Sequence, residues 1–321
     1  MLINWLAPEP MHIPDGFLSV IVSIILWILS VAIIAYSLKR VGEDLGERQV
    51  PMMGVLAAAI FAGQMLNFTV VGGTSGHLMG AAIATILLGP WAAILVMTTV
   101  VGVQALIFQD GGLLVLGANI FNMGIIGVAV SYFVYRTFYR LSKGARWGIL
   151  VGGFIAAWSS IFIASLGVAL QLGLSGTSPA NIAIPAMGAI HALIGIGEGL
   201  ITVGALALLL ATRPDLVSAG ESQQKGGLAV WLGGLGIALL LAIASPFASA
   251  NPDGLEWVAE EKGFLDTAQD PLYNIIPDYV LPGVSNEALA TILAGVIGML
   301  IVFGVTLAVA YNRRSHPSSG D

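Results

Sequence analysis

The chain has 321 residues, of which 57% are hydrophobic and only 9% are charged, and its mean hydropathy is +0.92. Because a soluble domain carries about 25% charged residues, this composition excludes a soluble enzyme with a single anchor and indicates a polytopic membrane protein surrounded by lipid. The absence of cysteine excludes disulfides and thiolate metal sites. The sequence has no basic patch of the kind that would indicate nucleic-acid binding.

Nine apolar segments predict an all-α fold, a polytopic membrane helical bundle of about seven spans followed by two C-terminal spans. A bilayer core of about 30 Å needs roughly 20 apolar residues per helix. We place the spans near residues 17–38, 51–71, 77–89, 91–108, 113–135, 148–171, 185–211, 228–248 and 288–311. The third and fourth are short and meet at Gly89-Pro90-Trp91, so this pair is predicted to be a tilted or partly re-entrant hairpin.

The basic residues predict the orientation of the bundle. In the nine-span arrangement Lys262 lies on one side of the membrane, and the other eleven basic residues lie opposite: Lys39, Arg40, Arg48, Arg136, Arg140, Lys143, Arg146, Arg213, Lys225, Arg313 and Arg314. By the positive-inside rule the side with eleven is cytoplasmic. We therefore expect a protein of the plasma or inner membrane with its N-terminus outside and its C-terminus in the cytoplasm.

A polar segment divides the chain into two predicted domains. Residues 212–226 contain Pro214, Gly220 and paired glutamines, which is typical of a linker, here a cytoplasmic one. Residues 1–211 then form a seven-span domain, and residues 227–321 form two spans around a long acidic loop on the outside. A negative field can raise the capture rate of divalent cations, although a loop that is simply solvated has the same composition.

Two histidine motifs carry the strongest chemical signal. They are MHIPDGF at residues 11–17 and GGTSGH at residues 72–77. If the mature protein begins at Met11, four nitrogens are available to one metal: the amine of Met11, the backbone nitrogen and imidazole of His12, and the imidazole of His77. Such a set suits Ni(II) or Cu(II), whereas Mg(II) prefers oxygen. The predicted metal ligands are therefore Met11, His12 and His77.

Both motifs also have plainer interpretations. Residues 1–10 lack the basic start and long apolar run of a signal peptide. These residues could form a short amphipathic arm, or translation could start at Met11 or the arm be removed; the family resemblance given below, which begins at Met11, favours the second. His77 could simply begin a helix that Thr74 or Ser75 caps, which is compatible with metal binding.

Polar residues in or near the spans are candidates for orienting the ligand rings or supporting the loops. Ligating histidines usually need hydrogen-bond partners of this kind. The candidates are Asn67, Gln104, Gln109, Asn119 and Asn122. The alternative role is hydrogen bonding between membrane helices, which is common for Asn and Gln.

His191 and Glu198 are predicted to lie on one face of the seventh span. They are seven residues apart, which is two helical turns. An acidic residue inside a span is a functional candidate by default. The pair could relay an ion, contact another subunit or brace neighbouring helices, and we favour the brace.

Several motifs together resemble a known family. The pattern MHIPDGFLS…SGHLMGA, the run from Gly111 to Met123 and the segment HALIGIGEG at 191–199 resemble the NikM/CbiM family. These proteins are the substrate-binding membrane subunits of nickel and cobalt energy-coupling factor (ECF) ABC transporters. Residues 251–260, NPDGLEWVAE, resemble the PDGLE segment of the small NikN-type companion subunit. The chain thus looks like a fusion of both components.

The resemblance implies a function in transition metal ion transport, with Ni(II) or Co(II) as the transported substrate. It also implies two kinds of partner: a transmembrane coupling subunit and cytoplasmic ATPase subunits. The sequence has no G-x-x-x-x-G-K-[ST] loop, so the chain does not hydrolyse ATP itself. The alternative is a stand-alone secondary transporter that uses His191 and Glu198. An intramembrane enzyme is disfavoured, because the sequence shows no nucleophile and no general base with a residue to orient it. The family's link to cobalamin biosynthesis would be one of cobalt supply.

Overall fold

The fold was described from a computed structural model, for residues 12–44, 49–217 and 228–314. Its helices are α1 (Val20–Asp44), α2 (Gln49–Gln64), α3 (Ala81–Leu88), α4 (Pro90–Val103), α5 (Leu116–Asn119), α6 (Gly127–Leu141), α7 (Arg146–Ser175), α8 (Ala180–Thr212), α9 (Leu228–Ala244), α10 (Gly254–Lys262) and α11 (Glu287–Arg314). Two π-helical segments, Gln104–Phe108 and Ile120–Ile126, extend α4 and join α5 to α6. The predicted all-α membrane bundle is confirmed.

Six helices in the described part of the chain are long and apolar enough to cross a membrane. They cover Val20–Gly42, Pro90–Phe108, Leu116–Leu141, Arg146–Ser175, Ala180–Thr212 and Glu287–Arg313. The helices at Val50–Gln64 and Trp231–Phe247 are apolar but shorter. Six of the nine predicted segments thus contain a helix long enough to cross, and the segment at residues 77–89, for which a partly re-entrant path was expected, contains only the short helix α3.

Helix α3 is too short to be the predicted third span. Its eight residues are about 12 Å long, whereas a bilayer core needs about 30 Å. Gly89, with φ of 78°, ends α3, and Pro90 begins α4 at once. Trp91 then packs edge to face on Tyr36 in the second half of α1, with ring centroids 5.1 Å apart. The pair α3–α4 is thus a sharp turn inside the bundle.

A small antiparallel hairpin replaces the end of the predicted second span. Helix α2 ends at Gln64, and strands β1 (Phe68–Val70) and β2 (Thr74–Gly76) pair so that Phe68 lies opposite Gly76. Gly72 and Gly73, with φ of 97° and 82°, make the turn. Two glycines after β-branched residues are a hairpin signal, but the spans were placed by hydropathy, which does not distinguish an apolar strand from an apolar helix. The hairpin delivers His77 into the bundle.

The two C-terminal helices pack on the first domain. Helices α9 and α11 both contact α2. The contacts use glycines: a Cβ on Gly54 would lie 3.0 Å from side-chain atoms of Leu307 and Phe303, and one on Gly234 would lie 2.1 Å from Val55. Small residues allow such close approach between membrane helices.

The long connection, residues 248–286, runs from the end of α9 back over the bundle and contains α10. Its backbone amides donate to the first domain at three places, from Ser249 to Asn67, from Gln269 to Asp15 and from Ile276 to Ile107, at 2.8, 2.8 and 3.0 Å. The connection therefore lies against the N-terminal segment and against the β hairpin.

Candidate metal site

The N-terminal segment is fixed by Asn119 at the end of α5. The Oδ1 atom of Asn119 accepts from the backbone N–H of Ile13 at 3.0 Å, and its Nδ2 donates to the Ile13 carbonyl at 3.1 Å. Gly112 donates to the same carbonyl at 2.9 Å. Gly111 has φ of 92°, and a Cβ there would lie 2.8 Å from Cβ of His12. This loop therefore requires glycine, and it holds His12 in place.

Asp110 faces the side of His12 that would chelate a metal. Its Oδ1 accepts from the backbone N–H of His12 at 3.2 Å and lies 3.3 Å from Nδ1 of the ring. Nδ1 also lies 3.3 Å from the Asp110 carbonyl oxygen. Because oxygen partners hold Nδ1 as the donor, the lone pair of the neutral ring is on Nε2. That atom is buried and has no hydrogen-bond partner, whereas the backbone nitrogen and Nδ1, the pair that could chelate a metal, are both engaged by Asp110 in this state.

His77 is held by the turn that follows β2. Its Nδ1 donates to the carbonyl of Leu78 at 3.1 Å, which leaves the lone pair on Nε2. The next two amides, of Met79 and Gly80, donate to the two carboxylate oxygens of Glu198 at 2.7 and 3.0 Å. These bonds favour the brace interpretation of Glu198, since both oxygens hold the turn that carries His77.

The interpretation of Thr74 or Ser75 as a helix cap was wrong. Both residues lie in β2, and Gly80 precedes α3 without a side-chain cap. Instead, Ser75 donates its amide to the carbonyl of Pro252 at 2.8 Å and its hydroxyl to the carbonyl of Asn251 at 2.8 Å. The hairpin is thus joined to the long connection.

The two histidine rings meet in one small cavity. Their centroids are 5.8 Å apart and their planes are at 83°. The cavity is about 80 Å³ and mainly apolar, and His191, Asn119, Asn122 and Asp253 also line it. Met11 lies outside the described residues, so its place relative to the cavity is not defined.

His191 brings a third imidazole to this cavity. Its Nδ1 donates to the carbonyl of Met187 at 2.8 Å, so the ring lone pair is again on Nε2. Gly254 packs against this edge, because a Cβ there would lie 3.1 Å from Nε2. Within the described ranges, however, His, Cys, Asp and Glu side chains form no group of three positioned to hold a metal. Backbone nitrogen or movement is therefore needed to complete a site.

Burial changes the protonation of two groups beside the cavity. The pKa of His77 is lowered from 6.5 to about 4, mainly by burial and to a smaller degree by the neighbouring His12 ring. The ring is thus neutral at pH 7, as metal binding requires. Burial also raises the pKa of Asp253 well above its ordinary range. Asp253 caps α10 by accepting from the amide of Glu256 at 2.7 Å.

The other predicted supporting residues fall into two groups. Asn122 lines the cavity and exchanges two hydrogen bonds of 2.8 Å with Gln171 of α7. Gln104, Gln109 and Asn67 do not line it. Gln104 donates to the hydroxyl of Tyr279 at 3.0 Å, and Gln109 accepts from the amide of Ile275 at 3.2 Å. These two glutamines contact the long connection instead of a ligand ring.

Comparison with known proteins identifies the family. Residues 12–216 match CbiM, described as the cobalt uptake substrate-specific transmembrane region. The chain belongs to the CbiM family. Residues 228–315 match the PDGLE domain, so this CbiM protein carries a PDGLE domain in the same chain.

Relatives of this CbiM protein include fused chains of the same kind. A putative fused nickel transport protein NikMN of Archaeoglobus fulgidus is 37% identical over 95% of this chain and 100% of its own length. The fused nickel transport protein NikMN of Rhodobacter capsulatus is 29% identical over 93% and 97%. The crystal structure of a truncated transition metal transporter is similar with a TM-score of 0.56 and 35% identity, over 63% of this chain and 99% of its own.

Sequence reasoning missed four residues that surround this CbiM site. Asp110 and Tyr279 form a hydrogen bond behind His12, Asp253 lines the cavity and Gln171 pairs with Asn122. Their partners are far away in the sequence, so no local pattern reveals the contacts. The only available signals were the carboxylate within Gln109-Asp110-Gly111-Gly112 and the Asp of the PDGLE motif.

Proposed function

We propose that this protein is the substrate-capture component of an energy-coupling factor transporter that imports Ni(II), or less readily Co(II). The observation that carries the proposal is the meeting of the His12 and His77 rings in one mainly apolar cavity. Fused relatives that align with nearly the whole chain are named as nickel transport proteins, which favours nickel over cobalt.

If Met11 is the mature N-terminus, the proposed ligand set is its amine, the backbone nitrogen and ring of His12, and the ring of His77. Two arguments support it. The described residues show no group of three His, Cys, Asp or Glu side chains placed to hold a metal, which favours backbone donors. Planar sets of nitrogen donors suit Ni(II). A chelate through the amide and Nδ1 of His12 requires Asp110 to give up its contacts with both atoms.

The lining of the cavity determines which ligands an ion finds there. The walls are mainly apolar, and polar groups beside the two rings are few. An ion bound by the rings therefore exchanges water for imidazole nitrogen. Nitrogen ligands replace that water, and the apolar walls favour them over returning solvent.

The energy for release comes from partners. The chain lacks a phosphate-binding loop of its own, so we propose a transmembrane coupling subunit and cytoplasmic ATPase subunits. In the orientation that we propose from the charge asymmetry, the histidine cavity lies near the outer side and the C-terminus lies in the cytoplasm. Capture outside and ATP-driven delivery inside follow from that arrangement.

Native mass spectrometry of the purified protein in detergent, incubated with nickel and resolving both the N-terminal residue and any bound metal, tests the capture step. We expect one nickel per chain, retained by a species whose N-terminal residue is Met11 and whose mass shows loss of the amide proton. His12→Ala and His77→Ala should each lose the metal. His316→Ala, which removes the one histidine beyond α11, is the matched control and should keep it. Full nickel occupancy in His12→Ala or His77→Ala would refute the site.

A stand-alone secondary transporter is the competing function. It assigns proton relay to His191 and Glu198, but both oxygens of Glu198 already accept backbone amides. The two functions can be separated by measuring nickel uptake in cells whose partner ATPase has its phosphate-loop lysine replaced. Uptake should cease if the protein depends on ATP, and uptake that persists would favour the secondary transporter.

A further inference from the structure

A chain of hydrogen bonds joins the long connection to His12. Tyr279, which is fully buried, donates its hydroxyl to Oδ2 of Asp110, and Gln104 donates to that hydroxyl at 3.0 Å. The other carboxylate oxygen, Oδ1, contacts the backbone nitrogen and Nδ1 of His12 at 3.2 and 3.3 Å. The PDGLE domain thus reaches a metal-binding residue of the CbiM domain through one carboxylate.

The position of Oδ1 conflicts with chelation at the same edge of His12. Metal–nitrogen bonds are about 2.0–2.1 Å long, so an ion bound to both nitrogens would lie between them and the carboxylate. At their present distances Oδ1 leaves no room for it. Asp110 therefore has to move before the metal can bind in this way, and whatever holds Asp110 opposes that movement.

The surrounding packing and the backbone conformation fix Tyr279 where its hydroxyl can hold Asp110 in place. Its ring stacks on Phe108, with centroids 4.8 Å apart and planes at 15°, and lies 6.1 Å from the ring of Phe61. Asp278 and Tyr279 have φ of 52° and 56°, a conformation that residues with side chains adopt infrequently. Such a backbone persists where the surrounding packing determines it. The hydroxyl is consequently held at a fixed point beside Asp110.

We propose that Tyr279 is a positioning residue that latches Asp110 across the chelating edge of His12, so that release of this latch admits the metal. The inference rests on the proposed function, because it needs His12 to bind the ion. It assigns the PDGLE domain a restraining role in the metal-free protein: the domain keeps the site closed until Asp110 is released.

Removal of the hydroxyl alone tests the latch. Tyr279→Phe keeps the stacked ring and the negative charge of Asp110 but deletes the hydrogen bond. A hydrogen bond to a charged group contributes enough to change an equilibrium about tenfold or more, so nickel should bind about ten times faster or more tightly. Tyr273→Phe is the matched control. It removes a hydroxyl of the same connection that donates to the carbonyl of Leu106 at 3.0 Å, and its binding should equal that of the original protein.

The experiment is stopped-flow and equilibrium nickel binding to the full chain, with the visible absorption of the bound nickel as a spectroscopic signature. That spectrum should be unchanged in Tyr279→Phe while association becomes faster. If Tyr279→Phe does not fold, Gln104→Met, which removes the partner of the hydroxyl, should shift binding in the same direction by a smaller factor. Slower, weaker or unaltered binding by the folded variants would overturn the latch. Failure of the unmutated protein to bind nickel would overturn the capture function and the latch with it.

Discussion

The carboxylate of Glu198 holds the backbone of Gly80. One oxygen accepts from the amide of Gly80 at 3.0 Å and the other from the preceding amide at 2.7 Å, so the middle of α8 fixes the turn that follows His77. Gly80 has φ of 80°, and a Cβ there would lie 2.7 Å from Ile60. The glycine can therefore approach α2 while its amide points to α8.

Glu198→Gln should weaken both the fold and metal capture. The amide group of glutamine offers one acceptor in place of two, so one buried N–H loses its partner, which costs about 1–3 kcal/mol. Thermal unfolding in detergent and nickel titration measure the two effects. Glu261→Gln, at an exposed position of α10, is the control. Equal unfolding temperatures for the two variants would contradict the brace.

The two hydrogen bonds between the Asn119 side chain and the backbone of Ile13 predict that loss of this side chain lowers the affinity for nickel. Asn119→Ala removes both hydrogen bonds to Ile13, so His12 should no longer be held toward His77. Loss of a residue that orients a metal ligand typically lowers affinity about 10- to 100-fold. Isothermal titration with nickel measures it, with Asn286→Ala, in the long connection, as the control. Unchanged affinity in Asn119→Ala would show that His12 is positioned by other contacts.

The depressed pKa of His77 predicts how stability depends on pH. In the unfolded chain the ring takes up a proton near 6.5, whereas in the folded protein its pKa is about 4. The unfolded state therefore binds more protons between these values, and stability falls as pH is lowered from about 6.5 toward 4. Above that range the contribution is complete.

Thermal unfolding of the metal-free protein between pH 4 and 8 measures this dependence. His77→Asn should lower the slope in the acidic range, while His316→Asn should leave it as in the original protein. An identical slope in His77→Asn would show that the ring is not buried in its neutral form.

The contact between Gly254 and His191 predicts that the PDGLE domain tolerates no side chain there. In Gly254→Ala the new Cβ would lie 2.6 Å from Ile194 and 2.9 Å from Cε1 of His191. Overpacking of this kind costs about 1–3 kcal/mol, so α10 should move away from the cavity. Gly236→Ala in α9 has no atom within 4 Å of its Cβ and should be as stable or slightly more so. Thermal unfolding compares the two.

Hydropathy and motif spacing predicted the framework of this molecule. Runs of apolar residues determine which segments can cross a membrane, and that property is local, so α1, α7, α8 and α11 were found near their observed bounds. The prediction that the two motifs at His12 and His77 belong together rested on their chemistry and on their resemblance to the NikM/CbiM family. Their role as ligands remains a prediction, although the rings lie side by side.

The contacts behind the two rings could not be predicted in this way. Asp110 reaches His12 across 98 residues and Tyr279 across a further 169, and such pairs depend on how the helices pack. The β hairpin was missed for a different reason. Phe68, Thr69 and Val70 are apolar or β-branched, so they extend a hydropathic segment whether the backbone is helical or extended.

The apolar lining of the histidine cavity has a consequence for which ions can compete. Magnesium is held by oxygen and gives up its water reluctantly, and the walls beside the two rings are mainly apolar. Such an ion would lose water there without gaining oxygen ligands, whereas transition metal ions form bonds to imidazole nitrogen. Discrimination against the hard ion therefore lies in the cost of its dehydration as well as in coordination geometry.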